Sequence, residues 1–303
     1  MKRLCPVIFF FGFLSFSQSE EYTVTNIQLN NEFPHFGLMP TSNGEVVLTS
    51  FLLDKKGRVQ QFQGESTFGV YKGIIDATGD IQNVHPIKID SKQNKSHITS
   101  AAISPDGKRI YITIRYTNKN KPKGDFNINN FHIEVGEYKE DLGWTNFKVL
   151  PFCKPKYSYA HPSLSSDGKT LYFTANFRGG KETTKGGSDI FKVSILDNQT
   201  YTEPENLGSE VNSYSREMFP VITNDNTLYF ASNRPSGYGG YDIYKSVMKE
   251  TGTFAKAEKL PKPLNSVKDD FSLITFDAEA SGFLSSKRPE GKGDDDVYYF
   301  TKN

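Results

Sequence analysis

The chain has 303 residues, with Lys plus Arg at 36 against Asp plus Glu at 35, so it lacks the broad basic excess that nucleic-acid binders turn toward phosphates. Aromatic residues make up 14% of it, and a Leu- and Ala-rich helical periodicity is absent. This composition favours strands, and the length suits one large domain or two small ones.

The first residues read as a secretory signal, residues 1–19. Lys2 and Arg3 precede the apolar run "VIFFFGFLSF" from Val7, and the small residues Ser17 and Ser19 are spaced for cleavage before Glu20. Such a run is too short to cross a bilayer, and nothing later approaches the needed length, so no direct membrane span is expected. Cys5 lies before the apolar run, where a lipid anchor would not form. Removal of the signal leaves Cys153 alone, which excludes an intrachain disulfide and a Cys-based metal site. Residues 20–303 are expected to form a single exported domain.

Along that segment one hairpin pattern recurs. It is weak in "LMPTSNGEVVLTS" from Leu38, where the turn sits at Asn43 and Gly44, and clear in "AAISPDGKRIYITI" from Ala101. It returns in "HPSLSSDGKTLYFTAN" from His161, "FPVITNDNTLYFAS" from Phe219 and "FSLITFDAEASGFLSS" from Phe271. Each is an apolar strand, a turn rich in Asp, Asn or Gly, and an alternating strand. A third strand follows each: "GVYKGII", "HIEVGEY", "DIFKVSI", "DIYKSVM" and "DVYYFTK". A fourth segment follows four of them, most clearly "NLGSEVN" from Asn206 and "KLPKPLN" from Lys259. The fifth copy ends without one, and "VTNIQLNNEF" from Val24 stands where it would be supplied. About 55 residues per unit and four strands each predict an all-β, five-bladed β-propeller closed by an N-terminal strand that completes the last blade.

The copies also share a phrase: Arg, a glycine-rich loop, then Asp. It places Arg178, Arg234 and Arg288 after the second strand, with Arg115 at a similar place, and Asp189, Asp242 and Asp296 at the start of the third. A feature present in several blades is expected to pin each blade's own loop by charge-assisted hydrogen bonds, with Arg234 beside Asp242.

"SPDGKRIYIT", "SSDGKTLYFTANFR" and "NTLYFASNRPSGYGGYDIYKS" resemble the WD40-like propeller repeats of TolB, and of envelope proteins that join such a propeller to an OmpA-like peptidoglycan-binding domain. The resemblance covers residues 20–303 and implies a protein-interaction platform in the periplasm or at the outer membrane of a Gram-negative cell. No OmpA-like segment follows Asn303 in the sequence, so peptidoglycan binding is not implied.

Function is expected where the copies differ. Positions just before the first strands read Pro34 and His35, His97 and Ile98, Ser158 and Tyr159, Arg216 and Glu217, Lys268 and Asp269. They are expected to ring the channel mouth, where His35, His97, Tyr159, His161, Arg216, Glu217, Lys268 and Asp269 would meet one or more envelope proteins. Tyr214, Tyr238, Tyr241 and the Lys119, Lys121 and Lys123 run lie in neighbouring loops. Aromatics beside charges suit a protein hot spot. The alternative ligand is a glycan: five-bladed glycosidases set carboxylates around the axis, which brings Glu217, Asp269 and Asp270 into question. No catalytic residue, cofactor or metal is expected. "SSDGKTLYF" lacks the residue that a sialidase Asp box needs between Asp and Gly, Asp294 to Asp296 lack EF-hand spacing, and the histidines show no close metal spacing.

Overall fold

The computed structural model describes residues 22–303 except 42, 43, 63, 94, 96, 117–121, 123–128, 178–182 and 278. The expected leader (residues 1–19), Asn43, the Lys119, Lys121 and Lys123 run, and Arg178 therefore lie outside the described residues.

The chain forms five four-stranded antiparallel sheets arranged as blades. From the inner to the outer strand, blade one is Phe36–Pro40, Glu45–Phe51, Phe68–Ile75 and Ile81–Pro86. Blade two is Ile98–Ile103, Arg109–Arg115, Phe131–Lys139 and Gly143–Val149. Blade three is Tyr159–Leu164, Thr170–Ala175, Asp189–Ser194 and Glu205–Asn206, and blade four is Glu217–Ile222, Thr227–Ser232, Asp242–Val247 and Glu258–Lys259. Blade five takes Asp270–Phe276, Ser281–Ser286 and Asp296–Lys302, and its outer strand is Tyr22–Asn26 from the other end of the sequence, in register from Tyr22 opposite Lys302 to Asn26 opposite Tyr298. The five blades and the N-terminal closure are as expected. A short hairpin, Gln61–Phe62 with Glu65–Ser66, is added in blade one.

The repeated "LYF" triplets are the middle of the sandwich between blades. Leu171, Tyr172 and Phe173, and their counterparts Leu228, Tyr229 and Phe230, are all buried, because second strands have a neighbouring blade on each face. The inner hairpins of blades two and three turn on one device. Asp106 Oδ1 accepts from Ser104 Oγ at 2.5 Å and Lys108 N at 3.0 Å, and Asp167 does the same with Ser165 Oγ at 2.6 Å and Lys169 N at 3.0 Å. Gly107 and Gly168 follow in the left-handed region, at φ 69° and 67°.

Blades three and four have outer strands only two residues long. An asparagine from the following segment extends each. Asn265 Oδ1 accepts from Ile243 N at 2.7 Å and its Nδ2 donates to Ile243 O at 2.9 Å. Asn212 makes the same pair with Ile190, and Asn30 with Val297. One side-chain amide thus completes a rung that the short strand leaves open.

Candidate functional site

The repeated phrase resolves into two separate devices. Asp242 Oδ2 accepts the backbone N–H of Tyr238 at 2.8 Å and of Gly239 at 3.4 Å, folding the glycine loop over the start of the third strand. Asp189 holds Lys185 N and Gly186 N, and Asp296 holds Lys292 N and Gly293 N. Gly186, Gly239 and Gly293 are pressed against the next blade: a Cβ on Gly239 would stand 2.3 Å from the Val267 carbonyl carbon, and one on Gly186 2.1 Å from Ser215 O. Only glycine fits that approach.

Arg234 and Arg288 do not pair with the aspartates of their own loops, Asp242 and Asp296. Arg234 reaches back to the first strand, with Nη2 3.3 Å from Glu217 Oε1, Nε 3.1 Å from Ser232 Oγ, and a further bond to Val211 O. Arg288 repeats the triplet with Asp270 Oδ1 at 2.7 Å, Ser286 Oγ at 3.0 Å and Leu264 O at 3.2 Å. This corrects the expected Arg234–Asp242 pairing. Arg115 instead bonds Glu65 of the added hairpin at 2.8 Å.

The same geometry corrects the expected mouth ring. Glu217 opposes Ser232 and Asp270 opposes Ser286, so Asp270, not Asp269, is the blade-five counterpart of Glu217. His35, Tyr159, Glu217 and Asp270 are all buried, the last two completely. Tyr159 packs among Phe152, Phe173 and Phe177, and is no exposed anchor. Strand side chains alternate, so a ring chosen one position away falls on the interior face. Burial lowers the pKa of His35, and burial with the charge of Arg115 lowers that of His97.

Below the mouth, β-bulges turn side chains toward the axis. Gly37, His161, Phe219 and Ser272 occupy matching bulges in four inner strands, all with positive φ between 50° and 70°. His161 stacks on Phe219 at 3.7 Å between ring centroids, and its Nδ1 accepts from Phe219 N at 3.4 Å. Burial holds its pKa down at about 3. Around these residues the axis keeps a void of only about 10 Å³, so His161 plugs the channel rather than lining its mouth.

Above the plug lies a pocket of about 220 Å³ formed by blades four, five and one. Its floor is Phe36, Met218, Phe219 and Phe271, and its walls are Tyr241, Asp269, Lys287 and Asp295. Asp269 Oδ1 accepts from Tyr241 N at 2.9 Å. Lys287 Nζ lies 3.3 Å from Asp294 Oδ2 and 3.8 Å from Asp295 Oδ1. Burial raises the Asp295 carboxyl to about 6, against the pull of Lys287 and with the push of Asp294, Asp269 and Asp296. For Lys287 burial works the other way, but Asp295, Asp294 and Asp269 outweigh it and raise its pKa. Exposed Arg216 stands beside the Tyr241 hydroxyl, and Lys268 is exposed at the rim. Sequence reasoning found Asp269, weighed Asp295 only as a calcium donor and passed over Lys287; Lys287 and Asp295 sit one residue before the repeated Arg288 and Asp296.

The loops on this face expose Tyr214 (85%), Val267 (61%) and Tyr238 (40%). Lys185 lies 4.9 Å over the Tyr214 ring, and Lys259 lies 3.6 Å over that of Tyr238. Among the described residues no three His, Cys, Asp or Glu side chains converge as a metal site, and no helix is long and apolar enough to cross a membrane.

Solved structures with the same arrangement serve different ends. A thermostable family-43 glycoside hydrolase superposes with a TM-score of 0.51 at 13% identity, over 92% of this chain and 92% of that one. The putative TolB from Agrobacterium tumefaciens gives 0.49 at 15% identity, over 89% and 78%. A gluconolactonase from Xanthomonas campestris gives 0.47 at 12% identity, over 93% and 90%. What they share is the fold. No protein-family model and no curated protein matches the sequence.

Proposed function

We propose that this chain is an exported, non-catalytic propeller that docks an envelope protein on its mouth face, in the periplasm or at the outer membrane. The observation that carries this reading is the gathering of Tyr214, Tyr238 and Val267 on one face, beside an aromatic-floored pocket. Exposed aromatics next to a well-formed pocket supply the large, low-entropy contact area of a hot spot. The carboxylates that first invite a catalytic role, Glu217 and Asp270, are wholly buried and engaged by Arg234 and Arg288. Export rests on residues 1–19.

The test is capture from crosslinked envelopes. Tyr214→Ala with Tyr238→Ala is expected to weaken capture by about 1 to 2 kcal/mol per anchor while leaving the melting curve in place, since both rings are exposed. Undiminished capture by the double variant would remove this face from consideration. A carbohydrate reading draws on one observation, the raised Asp295 carboxyl near Asp269, which has the form of an acid and base pair. Glycan turnover lost in Asp295→Asn would establish it in place of docking.

A further inference from the structure

We propose that the pocket among blades four, five and one is a receptor for a cationic side chain, lysine or arginine, offered by the docked partner. The inference rests on the docking reading for the bearer of that side chain, and on the pocket itself for its chemistry.

The floor of Phe36, Met218, Phe219 and Phe271 presents apolar side chains, three phenyl rings and a thioether, with Phe219 and Phe271 rings 4.8 Å apart and Phe36 and Phe271 rings 6.2 Å apart. Such a floor suits an aliphatic stem and attracts a positive head through the ring faces. The wall carries one buried acceptor that lacks a donor. Asp295 Oδ1 is buried and receives no hydrogen bond, while Lys287 stays 3.8 Å away and turns to Asp294 at 3.3 Å. A buried carboxylate oxygen without a donor is costly, and an ammonium or guanidinium N–H removes that cost.

The charged residues that line the pocket are Asp269 and Asp295 against Lys287, with Asp294 paired to Lys287 outside the lining and Arg216 and Lys268 exposed at the rim. Burial is the first cause that holds Asp295 at about 6, and the negative charges of Asp294, Asp269 and Asp296 add to it against the pull of Lys287. An anion would meet the wall carboxylates, and a pyranose stacked by its C–H face on the phenylalanines would leave their charge uncompensated. A cation on a carbon stem satisfies both floor and wall.

The experiment titrates the full-length mature protein by NMR with four probes: Nα-acetyl-lysine amide, Nα-acetyl-arginine amide, Nα-acetyl-norleucine amide and N-acetylglucosamine. A lysine or arginine probe is expected to shift the amides of Tyr241, Asp269 and Asp295 and to bind about fivefold or more tightly than norleucine. Asp295→Asn and Asp269→Asn are each expected to weaken it by about the same factor, whereas Asp197→Asn, on the opposite face, leaves it unchanged. Norleucine binding as tightly as lysine, N-acetylglucosamine moving the same amides instead, or no probe moving them would overturn the proposal. Partner capture that depends on Tyr214 and Tyr238 without any cationic binding would keep the platform and discard the receptor. Cationic binding with no partner captured would do the reverse.

Discussion

Arg288 holds Asp270 at 2.7 Å inside blade five, and both side chains are almost entirely removed from water. The blade-four copy, Arg234 with Glu217, is looser at 3.3 Å and partly open on the arginine side. Removing the arginine leaves a buried carboxylate unpaired, so Arg288→Ala is expected to cost about 3 to 5 kcal/mol and Arg234→Ala less. Urea unfolding reads both. A double-mutant cycle should show coupling between Arg234 and Glu217 but near-additivity between Arg234 and Asp242; strong coupling of the latter pair would contradict the geometry.

Asn265 replaces a strand residue by bonding both the N–H and the C=O of Ile243. Asn265→Ala leaves the Ile243 N–H buried and unpaired, while the Ile243 carbonyl keeps Leu260 N–H at 3.0 Å, an expected loss of about 1 to 3 kcal/mol with faster hydrogen exchange at the Ile243 amide. Unaltered exchange there would mean that the rung is made some other way.

Asp295 makes stability depend on pH in a direction unusual for a carboxylate. Its folded-state pKa, about 6, lies above the ordinary 3.8, so between those values the folded protein binds more protons than the unfolded chain. The group therefore costs stability as pH rises through about 6, by up to about 3 kcal/mol. Asp295→Asn, which mimics the neutral form, is expected to raise the Tm at about pH 8 and to leave it unchanged at about pH 4. Asp76, held near 2 first by its Thr78 hydrogen bonds, acts in the opposite sense but is common to both proteins. A Tm lowered at the higher pH would show that the Asp295 charge is stabilising.

Closure is tested at the other end of the chain. Tyr22–Asn26 is the outer strand of blade five, and Tyr22 packs edge-on against Phe300 at 5.9 Å. A chain starting after Asn26 exposes the edge of Asp296–Lys302, and aggregation or a broadened melting transition is expected. A sharp, unchanged transition would show that the ring closes without it.

The sequence by itself determined the blade count, the strand order and the closure. These follow from local signals: the Asp-Gly turns at Asp106 and Asp167, the period of two in "TLYFT", and a unit repeated five times with one strand displaced to the front. It also marked Asp189, Asp242 and Asp296, whose loop contacts lie three or four residues away. Tertiary structure alone decided which side chains face the axis. A one-residue difference in alignment turned attention from Asp270 to Asp269, and alternation along a strand converts such a slip into the opposite face. The bulges at His161 and Phe219 change that alternation again, through backbone angles that sequence periodicity does not record. The pocket joins Phe36 of blade one to Phe219 of blade four and Asp295 of blade five. Residues so far apart in the chain become neighbours only when the ring closes.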